Sequence, residues 1–373
     1  MRQHANGFAR PTVTRALTAV EDQAIAEVCP GLNVRQNAGD RHDDFLWGPI
    51  VSLYRGHATN APLRHQASSG GALSAMLQHL LARGLVKFVV QTGASRETPY
   101  ANAEVVSDTP EAVYRAAGSR YAPSSPLANI ERHLSRGAPF AFVGKPCDVA
   151  ALRALARRDP RVDELIPYAF SFFCAGVPSG AGAEKLIEKM GLRTDDVVEF
   201  RYRGDGWPGY ATAVTRDRRE LRMSYHASWG EILSKRLQLR CKISPDGVGG
   251  FADVVCADAW ECDADGYPMF EERDGVSLVV GRTEKGAELI AAAAEAGDIA
   301  LAPARVADIA AMQPSQARRK RLVLSRVLAL KAFARPTPRY AGLNLGRAAR
   351  SAGLGANLKS FLGTCRRVVF GWL

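Results

Sequence analysis

Three strand-like apolar runs, each followed by a helical pattern, recur between residues 68 and 190. A chain that alternates in this way buries its strands beneath helices, so the alternation points to an α/β core. The clearest stretch begins at Ser68-Ser69-Gly70-Gly71, ahead of a pattern that places Leu73, Met76, Leu77, Leu80 and Leu81 on one helical face. Gly84 ends that helix, and Val86–Val90 reads as a buried strand. Asp108-Thr109-Pro110-Glu111 starts a second helix, with a proline near its first turn. Pro139–Val143 is the next strand, followed by Gly144-Lys145-Pro146-Cys147-Asp148 and a helix carrying Leu152 and Leu155. Ile166–Cys174 is the third, with Gly176, Pro178 and Ser179 leading into a helix to about Met190.

Beyond that point the pattern changes. Residues 197–226 read as short β segments around a turn at Gly204-Asp205-Gly206-Trp207-Pro208-Gly209. Ser277–Arg282 is a strand, and an alanine-rich helix follows from about Thr283 to Ala296. The fold class expected is α/β with mixed α+β elements: a two-part core, a β-rich second half and a helical basic C-terminal tail. The first 45 residues read as loop-rich. No apolar run is long enough for a membrane span, and the first 30 residues lack the apolar stretch of a signal peptide. A cytoplasmic protein is the expectation.

The net charge of +11 suggests nucleic acid or anionic lipid until it is mapped. Ser315–Leu373 holds 13 Lys/Arg and no Asp/Glu, which leaves 36 Lys/Arg against all 38 acids on residues 1–314. The basic character therefore belongs to a tail. There Arg318, Arg319, Lys320 and Arg321 precede Leu322, Val323, Leu324, Val327, Leu328 and Leu330; Arg366 and Arg367 precede Val368, Val369, Phe370, Trp372 and Leu373. Such a pattern suits a helix on an acidic membrane surface, at the inner face, or on an acidic partner. A tail docked on the body fits it equally. No base-stacking or groove-reading motif accompanies the charge, so nucleic acid is not expected.

Chemistry could sit at four places. Cys147 and Cys174 each occupy a strand-to-loop junction, where open α/β sheets collect ligands. A helix start would favour the Cys147 thiolate, and Lys145 adds positive charge for a phosphate or reduced cofactor. A lone cysteine at a strand end is commonly buried filler; two on consecutive strands make a site competitive. The Ser69-Gly70-Gly71 loop offers backbone N–H groups to a phosphate or flavin edge, although a serine cap explains it as well. In Arg240-Cys241-Lys242-Ile243-Ser244-Pro245-Asp246 a Cys-x-x-Cys pair is interrupted by Ser244, a poor substitute for a soft thiolate. Cys256 and Cys262 do not restore a ferredoxin-like spacing. Finally, Arg201-Tyr202-Arg203-Gly204-Asp205-Gly206-Trp207 joins cations, aromatics and flexible backbone, either as a clamp for an anionic planar cofactor or as a solvated turn. No hydrolase triad motif, Walker loop or zinc-protease motif is present.

Taken in order, Cys29-Pro30-Gly31, Ser69-Gly70-Gly71, Gly118-Ser119-Arg120-Tyr121-Ala122-Pro123, Gly144-Lys145-Pro146-Cys147-Asp148, Phe173–Ser179, Tyr202–Gly209 and Arg240-Cys241-Lys242 resemble the coenzyme F420 hydrogenase/dehydrogenase beta-subunit family over roughly residues 25–295. The resemblance implies an FAD-dependent oxidoreductase subunit with 4Fe-4S centres, relaying electrons between a deazaflavin (F420) or ferredoxin-like carrier protein and a second substrate. Carried onto this sequence, it implies cofactor binding by Ser69, Gly70, Gly71, Lys145, Arg201, Arg203, Gly206 and Trp207. It leaves Cys147, Cys174 and Cys241 as an incomplete metal-ligand set.

The divisions expected are 1–45 as a remnant of a cysteine-rich N-terminal segment, 46–135 and 136–300 as the family's two domains, and 315–373 as a basic amphipathic tail outside the family pattern. Family members usually open with a ferredoxin-like segment, of which only Cys29-Pro30 remains here. Because ligands are missing, the competing expectation is a vestigial, non-enzymatic member associated with cell-surface polysaccharide synthesis.

Overall fold

The computed structural model describes residues 1–4, 6–36, 43–261, 269 and 271–371. Eight strands form one mixed sheet, in the spatial order Ile299–Pro303, Ser52–Ala58, Ser277–Gly281, Val254–Asp258, Tyr168–Phe172, Phe140–Val143, Phe88–Ala94, Asn102–Ser107. The four strands Val254–Asp258, Tyr168–Phe172, Phe140–Val143 and Phe88–Ala94 run parallel. The flanking pairings are antiparallel. The two halves of the chain thus share one sheet.

Alternation along these strands sends side chains into two cores. Phe140, Phe142, Val255, Ala257, Leu278 and Val280 pack with Val149 and Leu152 of the helix Pro146–Ala156. Ala141, Val143, Val254, Cys256 and Val279 face the opposite way, onto Met76, Leu77 and Leu80 of Ala72–Ala82 and Leu289 and Ile290 of Glu284–Glu295. Because both faces are covered, the central strands carry no polar face, which is why they read as continuous apolar runs.

Several expected starts are present. Thr109 caps Pro110–Ala116 by accepting from the N–H of Ala112 at 3.2 Å, and Thr283 caps Glu284–Glu295 through Gly286. The β-rich stretch forms a separate three-stranded antiparallel sheet, Val197–Arg201, Ala211–Thr215 and Glu220–Met223, packed on the helix Gly180–Lys189. The loop-rich reading of the N-terminus missed a helix at Ala19–Val28, closed by a Thr18/Glu21 capping box.

The C-terminal region is helical, and its first helix, Pro314–Ala332, is docked on the body. Val323, Val327 and Leu330 meet Ile243 and Val368 in a small core of their own. Arg326 donates to the Lys242 carbonyl at 2.8 Å, and the Tyr340 hydroxyl to that of Ile243 at 2.9 Å. Both contacts tie the tail to the Cys241 segment. The second long helix, Gly353–Val369, packs on the first. Trp372 and Leu373 lie outside the described residues.

Candidate functional site

Cys147 and Cys174 follow neighbouring parallel strands at their carboxyl ends, the edge where a ligand crevice opens. Cys241, from the short helix Leu239–Ile243, joins them on one cavity of about 230 Å³. Lys145, Asp148, Arg240, Ser244, Asp246 and Arg319 belong to the polar part of its wall, while Phe8, Pro30, Pro123 and Val177 supply apolar surface.

Cys174 is held by its backbone and Cys241 by its sulfur. The Cys174 N–H donates to the Gly247 carbonyl at 2.8 Å, and the Cys174 carbonyl accepts from Arg319 Nη2 at 2.8 Å. The Cys241 Sγ accepts the Val177 N–H at 3.3 Å. That approach depends on Gly176, at φ 130°, where a Cβ would stand 3.2 Å from the Cβ of Cys241. Gly247 is equally constrained, because any side chain there would occupy the space of the Arg319 guanidinium.

Charge around the thiols is mixed. Burial, followed by the Asp148 carboxylate, pushes the Cys147 thiol far up, against the pull of Lys145. Its place in the first turn of Pro146–Ala156 does not make it a free thiolate, since the loss of water outweighs the helix start. Burial likewise pushes Cys174 up to about 11, partly offset by Arg319. Desolvation works against the Lys145 ammonium, but Asp148 at 2.6 Å and the nearby thiols outweigh it, so it stays protonated. Lys145 also donates to the Ser124 hydroxyl at 2.7 Å. Burial lowers the Arg319 pKa, with Cys174, Cys241 and Asp246 opposing. The cavity therefore sets the desolvated thiols of Cys147 and Cys174 beside the cations of Lys145 and Arg319, an arrangement that would gain if the sulfurs became thiolates on a positive centre.

The site residues expected from the sequence divide into two groups. Lys145, Cys147, Cys174 and Cys241 converge on the cavity. The Ser69–Gly71 loop does not face it. Ser69 Oγ donates to the Val276 carbonyl at 3.1 Å, and the Gly70 N–H donates to Ser277 Oγ at 3.0 Å. A Cβ on Gly70 would sit 2.7 Å from the Gly56 carbonyl oxygen, so this loop is glycine because it packs on two strands. Arg201 donates to the Gln66 carbonyl at 3.1 Å and pairs with Asp205 at 3.0 Å. Arg203 is fully buried, forked onto Asp258 at 2.8 and 2.7 Å, bonded to the Pro208 carbonyl, and packed against the rings of Tyr225 and Trp260. Trp207 stacks on Trp260 at 4.7 Å and donates to Asp258 at 2.9 Å. Their donors and faces are taken up within the chain. Gly206 of that segment lines a 90 Å³ hollow with Arg64, His65 and Arg273.

Of the other cysteines, Cys256 is buried in a strand and Cys29 and Cys365 are half-buried; none of the three lines the cavity. Cys262 lies outside the described residues. Arg319 is the site residue that sequence reasoning missed, having been assigned to the tail. It stands one turn before Leu322 and Val323, whose buried face could have revealed it.

No three His, Cys, Asp or Glu among the described residues are grouped to hold a single metal ion. Ser244 donates to the Asp246 carbonyl at 3.1 Å, so its hydroxyl is spent locally although it borders the cavity. Cys147, Cys174 and Cys241 nonetheless line one cavity, with the Val177 N–H donated to one of the three sulfurs.

The comparisons with known proteins agree with this architecture. Residues 53–131 match the family described as coenzyme F420 hydrogenase/dehydrogenase, beta subunit N-term, and residues 138–326 match the C terminus of the same beta subunit. The second match runs past residue 315, into the docked helix that supplies Arg319. A coenzyme F420 hydrogenase subunit beta of Methanococcus voltae is 26% identical over 269 residues, 67% of this chain and 84% of that protein. A chain in the xenon-derivatised F420-reducing NiFe hydrogenase complex from Methanosarcina barkeri superposes with a TM-score of 0.62 at 20% identity, covering 80% of this chain and 98% of that one. Oxidoreduction and electron transfer are in keeping with such relatives. The chain belongs to the coenzyme F420 hydrogenase/dehydrogenase beta-subunit family.

Proposed function

We propose that this chain is an FAD-dependent oxidoreductase subunit that relays electrons between a carrier, F420 or a ferredoxin-like protein, and a second substrate. The observation that carries the reading is the convergence of Cys147, Cys174 and Cys241 with Lys145 and Arg319 on one cavity at the carboxyl edge of the sheet. Those three cysteines would hold a 4Fe-4S cluster, which would supply one-electron transfer when bound. Lys145 and Arg319 would balance the negative charge that three thiolates bring, and the Val177 N–H would stabilise the Cys241 sulfur. With Ser244 in place of a thiol, the protein supplies three soft ligands, so the cluster would be labile.

Of the eight residues proposed around the flavin, Lys145 lines the cysteine cavity and Gly206 a separate, smaller hollow, where each would offer the flavin a point of contact. Ser69, Gly70, Gly71, Arg201, Arg203 and Trp207 would shape the walls behind. A visible spectrum of anaerobically purified protein tests the reading. Flavin absorption is the result expected; a colourless protein that takes up neither FAD nor iron contradicts it.

A further inference from the structure

The basic tail divides into a docked part and an uncovered one. Pro314–Ala332 is docked, but the outward side of Gly353–Val369 is uncovered. Leu354, Leu358, Leu362 and Val369 stand on that side at 91, 58, 56 and 65% exposure. Their spacing of four, four and seven residues keeps them in one stripe along a helix about 25 Å long. The adjoining side carries Thr364 and Val368 into the body, and Ser325 donates to the Asn357 side chain across the same contact. Lys359 and Arg366 follow the outer margin of the apolar stripe. Residues 315–373 contain no carboxylate side chain at all.

We propose that this helix docks on an anionic lipid bilayer, lying in its plane. Four aliphatic side chains would enter the headgroup–acyl boundary, with Lys359 and Arg366 at the level of the phosphates. The charge selects the occupant. A second copy would bring Lys359, Arg366 and Arg367 against the same three cations, whereas an acidic leaflet attracts each of them. No helix among the described residues is long and apolar enough to cross a membrane, so the contact is peripheral.

The test is sedimentation of the full chain with vesicles of phosphatidylcholine, alone or mixed with phosphatidylglycerol, at two salt concentrations. Binding should require phosphatidylglycerol and fall with salt. Lys359→Gln with Arg366→Gln should weaken it roughly 20-fold, and Leu358→Ser with Leu362→Ser by more than about tenfold. All four side chains point outward, so both double variants should keep the wild-type thermal midpoint. Three results overturn the proposal: no binding to anionic vesicles, binding that ignores both salt and these substitutions, or a dimer on sizing that the leucine substitutions dissociate.

Discussion

Arg319, from a helix near the C-terminus, donates to the carbonyl of Cys174 at 2.8 Å and thereby closes the cysteine cavity with a residue 145 positions away in sequence. The same guanidinium is one of the groups that restrain the upward shift of the Cys174 thiol. With the thiol pushed up to about 11, only about one molecule in a thousand carries that thiolate at pH 8. In chelator-treated protein, alkylation of Cys174 should be slow and rise close to tenfold per pH unit from 8 to 10. Arg319→Gln should slow it severalfold further at each pH. A rate that has already levelled off by pH 8, followed by mass spectrometry, would refute this electrostatic picture.

The Arg203–Asp258 fork is a buried ion pair enclosed by aromatic rings, joining the small sheet to the end of a central strand. Removing one partner leaves the other charge desolvated, which costs about 3–5 kcal/mol. Arg203→Ala should lower the urea-unfolding free energy by that order, and Arg203→Lys by less, since it keeps the charge and loses the planar fork. Unchanged midpoints in both variants would mean that the turn does not depend on this pair.

Lys320, next to Arg319, gives a pH-dependent prediction. Burial lowers its pKa from 10.5 to about 8, with Asp246 pulling the other way. A lysine whose pKa falls on folding contributes fully only above pH 10.5, and that contribution is lost as pH drops through about 8. Lys320→Met should therefore raise stability by about 1–3 kcal/mol at pH 7. The gain should shrink between pH 8 and 10.5. Thermal melts across that range check the sign, and a gain that grows with pH contradicts it.

Elements that bury one clean face are legible in the sequence alone. The leucines and methionine of Ala72–Ala82 repeat at helical spacing because they all meet the sheet, and Phe140–Val143 reads as a strand because both its faces are covered. Ala19–Val28 buries none of its residues, so it has no apolar face to read, and its Thr18/Glu21 cap is the remaining clue. Ser52–Ala58 offers no such run or alternation, because most of its residues are only partly buried and Arg55, Gly56 and His57 interrupt its apolar side chains. At the site, Cys147, Cys174 and Cys241 stand out by residue type and junction. Ser69–Gly71 and Arg203 stand out equally, although the structure uses them for packing, because a glycine needed for close backbone approach and one needed for phosphate look the same in sequence.

Replacing Ser244 with cysteine restores the missing thiol of the Cys-x-x-Cys pair beside the cavity. Ser244→Cys should retain iron through aerobic handling better than the wild type, read as iron per chain after gel filtration. Equal loss from both proteins would remove Ser244 as the cause of lability.

Cys147, Cys174 and Cys241 would together form one metal site, and anaerobic reconstitution followed by iron and sulfide analysis tests this most directly. The wild type should take up iron and sulfide in equal amounts and lose them in air, and Cys147→Ala, Cys174→Ala and Cys241→Ala should each abolish most of that uptake. Iron–sulfur binding that survives all three substitutions together, or a folded wild type that takes up none, would contradict it.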